Sequence, residues 1–289
     1  MTTIRRRLIP YFLLGPGLIW LILFFVIPIG YMGELSLRTG SLETGFQFDW
    51  AWSNFSDSVS RFDTQFGRSF VYAGSATVIA LLIAYPLAYA IAFRGGRWKT
   101  ALLFAVMAPF FTTYLIRTIA WGTILGDTGI VVDTLRFFGI LSDDGRLLQT
   151  TAAVVAGLTY NFLPFMVLPI YASLERIDTR LIEAAKDLYS SARTAFWRVT
   201  LPLSAPGIVA GTLLTFIPAA GDYINAEFLG STQQSMIGNA IQSLYLNQRD
   251  YPTAAALSFV LLAAILIAVF VYIRFAGSES LMGEEAKKA

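Results

Sequence analysis

Arg117 is the one charge set well inside an apolar stretch, in the segment PFFTTYLIRTIAWG from Pro109 to Gly122. An ionisable side chain at such depth is a functional candidate, because an isolated charge in hydrocarbon is costly unless it faces a partner or a watered path. Asp222 and Glu227 flank Tyr223 and Asn225 at the close of another apolar run. Carboxylates in that position attract a cation, and the faces of Tyr114, Trp121, Tyr160 and Tyr223 can stabilise one by cation–π contact. The candidate pathway set is therefore Tyr114, Arg117, Trp121, Tyr160, Asp222, Tyr223 and Glu227. Each has a plainer reading beside it. Arg117 can snorkel to an outer interface, and the acidic pair with its aromatics can be loop charge beside an aromatic belt.

The same inventory argues against catalysis. The chain has no histidine and no cysteine, which removes the commonest general base, thiolate chemistry and disulfides. No metal site is expected. No lysine lies within the apolar runs, and Asp222 has no second aspartate at similar depth, so intramembrane hydrolysis lacks its nucleophile and base. The turn FRGGRWKT, Phe93–Thr100, superficially suggests a phosphate-cradling loop but lacks G-x-x-x-x-G-K-[ST]. No cofactor is expected in this chain, and a net charge of +2 is too small to argue for nucleic acid.

Long uncharged runs must position these residues. Soluble domains carry about 25% charged residues; this chain has 14%, with 56% hydrophobic. Six runs each supply the roughly 20 residues needed to cross a bilayer. Spans are expected at about 9–33, 69–93, 100–125, 147–174, 199–222 and 252–274, within one transmembrane domain covering 8–277. The first run is too long for a signal peptide core and reads as a retained span. External loops are expected at 34–68, 126–146 and 223–251, the last with a short helix around Met236–Leu246. Trp50, Trp52 and Phe55 suggest an interfacial surface in the first of them. Fourteen basic residues fall on the side of Arg5–Arg7, Lys186 and Lys287, against six on the other. The positive-inside rule then places both termini (1–7 and 278–289) and the loop 175–198 in the cytoplasm. The fold class expected is an all-α integral membrane protein with six transmembrane helices.

That cytoplasmic loop opens the stretch LIEAAKDLYSSARTAFWRVTLPLSAPGIVAG, Leu181–Gly211. Asp178 can cap a helix in which Leu181, Ala184, Ala185, Leu188, Ala192 and Ala195 share one face, with Glu183, Lys186, Asp187 and Arg193 towards the other. Pro202, Pro206 and Gly207 favour a break before the next run. A short amphipathic helix of this kind suits docking in a groove of a partner protein.

Glu183-Ala184-Ala185, Leu188, Val199 and Leu201-Pro202 resemble, in register, the EAA loop of bacterial ABC-importer permeases. Tyr189 stands where the family pattern carries a glycine, so the turn there is expected to differ, with Ser190 and Ser191 absorbing the bend. Further segments, PFFTTYLIRTIAW, GDYINAEFLGS and MIGNAIQSLYLNQRDYPTAAALS, resemble spermidine/putrescine-type permeases, specifically the first of their two membrane subunits. The resemblance implies a type I importer permease in the bacterial inner membrane. It also implies three protein partners: a second permease, an ATPase dimer that binds ATP and magnesium, and an extracytoplasmic solute-binding protein. Glu183, Ala184, Ala185, Asp187, Leu188 and Tyr189 would then form the ATPase-coupling surface. The alternatives are a stand-alone secondary transporter or channel, or an importer permease for another small solute. A secondary transporter would carry its own coupling-ion site or inverted repeats, and neither is visible.

Overall fold

The computed structural model describes residues 13–189 and 191–276, without the side chains of 186–189 and 276. Arg5–Arg7, Ser190 and the tail with Lys287 and Lys288 lie outside the described residues. In chain order the elements begin with α1 (Leu13–Ser36) and a hairpin of β1 (Arg38–Ser41) and β2 (Gly45–Phe48). Next come α2 (Ser53–Arg61), α3 (Asp63–Arg94), α4 (Lys99–Met107), α5 (Tyr114–Leu125) and α6 (Ile130–Phe137). The chain continues through α7 (Thr151–Glu175), α8 (Thr179–Tyr189) and α9 (Ala192–Ala220). It ends with α10 (Ile224–Leu229), α11 (Ile237–Gln242) and α12 (Tyr251–Ala276). Six of the helical stretches, with α5 and α6 taken together, are long and apolar enough to span a bilayer. The expected helical architecture holds, with one short hairpin added.

Two local outcomes differ from the pattern of prolines and apolar runs. The stretch 100–125 is not one continuous helix. A 3₁₀ turn at Ala108–Phe111 ends α4, Thr112 and Thr113 are extended, and α5 starts afresh at Tyr114. Pro109 supplies no backbone donor there, which favours ending the helix. Conversely, the break expected at Pro202–Gly207 is absent, and α9 runs unbroken through Pro202, Pro206 and Gly207. A π-turn at Phe196–Thr200 explains this, its last bond running from the Leu201 N–H to the Phe196 carbonyl immediately before Pro202. The widened turn takes up the missing donor and the ring clash. The same device precedes Pro28, where Ile22–Val26 is π-helical and the Ile27 N–H reaches the Ile22 carbonyl. The bend falls instead before α9, where Ser191 is extended and its Oγ accepts from the Thr194 N–H at 3.1 Å.

Contacts divide the chain into two units, each described by itself: Met1–Asp63 with Ala240–Leu262, and Thr64–Asn239 with Ala263–Ala289. In the first, the hairpin pairs Arg38 with Phe48 and Ser41 with Gly45. Gly45 lies at φ 78°, a left-handed conformation that suits glycine. Asn54 on α2 ties the hairpin down, its Nδ2 donating to the Ser36 and Arg38 carbonyls at 2.9 Å each. Phe48, Trp50, Trp52 and Phe55 follow one another with ring centroids 4.9, 6.4 and 5.8 Å apart. Trp50 and Trp52 are both exposed.

The second unit holds the core that positions the polar residues. On α3, Ala73, Ala76, Ala80, Ala84 and Ala88 are fully buried at three- and four-residue spacing. Such a stripe of small side chains allows close helix approach where no water drives association. Ala80, Ala84 and Ala88 pack with Met166, Val167, Ile170 and Leu174 of α7. α7 also meets α9, and Gly207 is a close point between them. A Cβ there would collide with the Pro169 carbonyl and come within 2.7 Å of the Ser173 Cβ. Gly207→Val is therefore expected to destabilise the fold by about 1–3 kcal/mol, as overpacking does, visible as a lowered melting temperature in detergent. At one end, Lys99 Nζ reaches both carboxylate oxygens of Glu175 at 2.9 Å. That pair is partly exposed, so Lys99→Ala should cost no more than about 1 kcal/mol in the same measurement.

Candidate functional site

Three elements of the second unit bring a polar cluster together. Tyr114 and Thr118 lie one turn apart on α5 and so share a face; Asn161 projects from α7, and Asp222 and Asn225 come from the start of α10. The Tyr114 hydroxyl donates to Asp222 Oδ2 and accepts from Asn225 Nδ2 at 2.5 Å. Asp222 Oδ1 accepts from the Asn225 backbone N–H at 2.8 Å, in the manner of a helix cap, and from its Nδ2 at 3.2 Å. Asn225 Oδ1 accepts from Asn161 Nδ2 at 3.1 Å, and the same nitrogen donates to Thr118 Oγ1 at 3.2 Å. Gly157 makes the approach of α10 to α7 possible, because a Cβ there would strike Leu229 and come within 2.6 Å of Asn225 Oδ1.

The electrostatics of this cluster are unbalanced. Asp222 is only 9% exposed, and the donors that reach it are neutral. Among the described residues none of the ion pairs includes it. A buried carboxylate without a cation is costly, and the low local dielectric makes the position strongly attractive to one.

The other sequence candidates are placed as follows. Arg117 is 8% exposed, and its guanidinium lies 4.7 Å from the Phe110 ring centroid and 5.7 Å from that of Tyr114. Its Nε and Nη1 have no acceptor among the described residues. Trp121 and Tyr160 pair with each other at 5.3 Å. Tyr223 and Glu227 are exposed, and both meet Asn239: its Nδ2 donates to the Tyr223 carbonyl at 3.0 Å and to Glu227 Oε2 at 3.1 Å. So Tyr114 and Asp222 join the cluster, Arg117 borders it through Tyr114, and Tyr223 and Glu227 bond elsewhere. Thr118, Asn161 and Asn225 are the members that sequence reasoning did not select. An amide within an apolar run, as in LTYNFLPF, was the available signal for Asn161.

The amphipathic stretch forms α8. Asp178 Oδ1 accepts from the Arg180 N–H at 2.9 Å, as a cap should. Ala185 is 5% exposed, whereas Leu181 is 52% exposed and Glu183 and Ala184 are also on the surface. Tyr189 is the last residue of α8. The side chains of Asp187, Leu188 and Tyr189 lie outside the described residues.

Comparison with known proteins gives the lineage. The profile of the family described as "Binding-protein-dependent transport system inner membrane component" matches residues 6–276. The spermidine/putrescine transport system permease protein PotB of Haemophilus influenzae is 38% identical over 256 residues, covering 88% of this chain and 90% of that protein. PotB of Escherichia coli is 38% identical over 199 residues, covering 69% and 72%. In structure, the chain is similar to a bacterial ABC transporter involved in the import of the acidic polysaccharide alginate, with a TM-score of 0.69 and 20% identity over 94% of this chain and 96% of that one. A bacterial alginate ABC transporter in complex with an alginate pentasaccharide-bound periplasmic protein gives a TM-score of 0.71 at 18% identity, over 97% and 98%. At these identities the structural likeness speaks for the fold, and the profile together with the PotB relatives speaks for the lineage. This chain belongs to the family of inner membrane components of binding-protein-dependent transport systems, the permeases of bacterial ABC importers.

Proposed function

We propose that this permease forms half of a translocation pathway for a polyamine of the spermidine/putrescine class. The observation that carries the reading is Asp222, a buried carboxylate held by Tyr114 and Asn225 with no ion-pair partner among the described residues. An ammonium group supplies the missing charge, and the nearby aromatic rings of Tyr114 and Phe162, 6.1 Å apart, suit a cation on an alkyl chain. Identity with the PotB proteins supports the same solute. Trp121, Tyr160, Tyr223 and Glu227 extend the pathway outside this cluster. A second permease supplies the other half, and a solute-binding protein delivers the polyamine from outside.

Energy comes from a separate ATPase dimer, which holds ATP and magnesium, since no phosphate-cradling motif occurs in this chain. Both termini and α8 face the cytoplasm in this reading. The exposed Leu181, Glu183 and Ala184, with Asp187 and Leu188, enter a cleft of the ATPase, and α9 passes its movement to the spans. Two global states biased by nucleotide are what such coupling requires. The test is reconstitution of the whole complex in liposomes with labelled spermidine and the binding protein. ATP-dependent uptake is expected; uptake of a sugar or an anion instead would leave the permease and remove the polyamine.

A further inference from the structure

Arg117 and Asp222 present a problem that neither solves alone. Both are over nine-tenths buried, both are ionisable, and no ion pair within the described residues includes either. They share one neighbour. The Arg117 guanidinium lies 5.7 Å from the centre of the Tyr114 ring, whose hydroxyl donates to Asp222. Among the described residues, Nε and Nη1 of the guanidinium have no acceptor, and the donors that reach Asp222 are neutral. Two groups of opposite charge type, neither in an ion pair among the described residues, therefore both lie against Tyr114. Breaking or withholding a buried ion pair is costly, because each charge is left uncompensated. A second arrangement, in which Tyr114 rotates aside and the long arginine side chain meets the carboxylate, relieves both at once.

We propose that Arg117 is a tethered counter-ion for Asp222 and thereby a specificity-determining residue of the pathway, competing with the solute's ammonium for the same carboxylate. This rests on the polyamine reading for the solute, but not for the pairing. When the site is empty, the guanidinium neutralises Asp222 and small cations find no net charge. A planar guanidinium makes two parallel bonds to a carboxylate, and one monovalent ion replaces neither. A solute bearing several ammonium groups gains from other contacts as it displaces the arginine, so the exchange favours polyvalent amines. In the arrangement with Tyr114 interposed, Asp222 lacks the arginine and keeps only neutral donors, which leaves its charge for the solute. The balance between the two arrangements then shifts with solute binding, as in any two-state equilibrium.

The test uses the intact complex in liposomes, with potassium leak and spermidine uptake both measured. Arg117→Gln is expected to raise potassium leak several-fold and to lower the apparent KM for spermidine. Adding Asp222→Asn to that variant should return the leak to the wild-type level, since no unpaired carboxylate remains. Leak unchanged by Arg117→Gln, or a leak that Asp222→Asn does not suppress, overturns the proposal. If the wild type moves no polyamine yet the leak appears and is suppressed as stated, the pairing stands and the solute assignment falls. Should Arg117→Gln fail to assemble in liposomes, thermal stability in detergent decides. Either single substitution is expected to lower the melting temperature more than the double substitution does; strictly additive effects would overturn the pairing.

Discussion

Asp222→Asn should lower ATP-driven spermidine uptake by about tenfold or more while the assembled complex survives. The substitution is nearly isosteric, and the asparagine carbonyl oxygen can still accept from the Asn225 backbone N–H, now at 2.8 Å from Asp222 Oδ1. The turn into α10 therefore has its cap. What disappears is the charge, together with the acceptor that Oδ2 offers the Tyr114 hydroxyl. A hydrogen bond to a charged group contributes about 1.5–3 kcal/mol, and each 1.4 kcal/mol is a factor of ten. Uptake by proteoliposomes at saturating binding protein measures the loss, and co-purification with the ATPase reports assembly. Wild-type uptake in Asp222→Asn would remove this carboxylate from the pathway. Asp222→Ala is a poorer test, because it also leaves the Asn225 backbone N–H without its acceptor.

Ala184→Arg is the second large effect, on the opposite function. Ala184 is exposed on α8, beside Glu183 and away from buried Ala185. The fold tolerates a long side chain there, so expression and membrane insertion should be unchanged. A groove that receives a small residue does not tolerate it, and central interface positions commonly cost 2 kcal/mol or more when disturbed. ATPase association should fall by about tenfold or more, with transport lost in parallel. Glu183→Ala should weaken association less, because it removes a contact without adding a clash. Normal assembly of Ala184→Arg would mean that the ATPase binds elsewhere.

Much of this architecture is readable without coordinates. Uncharged runs of about 20 residues can cross a bilayer only as hydrogen-bonded helices or closed barrels, and their length and continuity mark helices. The α8 helix was legible for a related reason, since its apolar positions recur at the helical period and Asp178 precedes them. Prolines were less informative. Pro109 coincides with a break and Pro202 does not, because the π-turn before Pro202 depends on how α9 settles, which no local pattern encodes. The hairpin between α1 and α2 was hidden as well, its polar Gly-containing strands reading as loop.

Composition and spacing by themselves determined the membrane class, the number of spans, the absence of histidine and cysteine chemistry, and the position of the charged foot on α8. Those properties follow from each residue's own solvation preference and from helical periodicity, which are local. Only the tertiary structure decided that Tyr114, Thr118, Asn161, Asp222 and Asn225 form one cluster and that Glu227 does not join it. The members come from three helical segments separated by up to 111 residues along the chain. Their meeting depends on how closely those helices approach, and that distance is set by residues such as Gly157 that carry no chemistry at all.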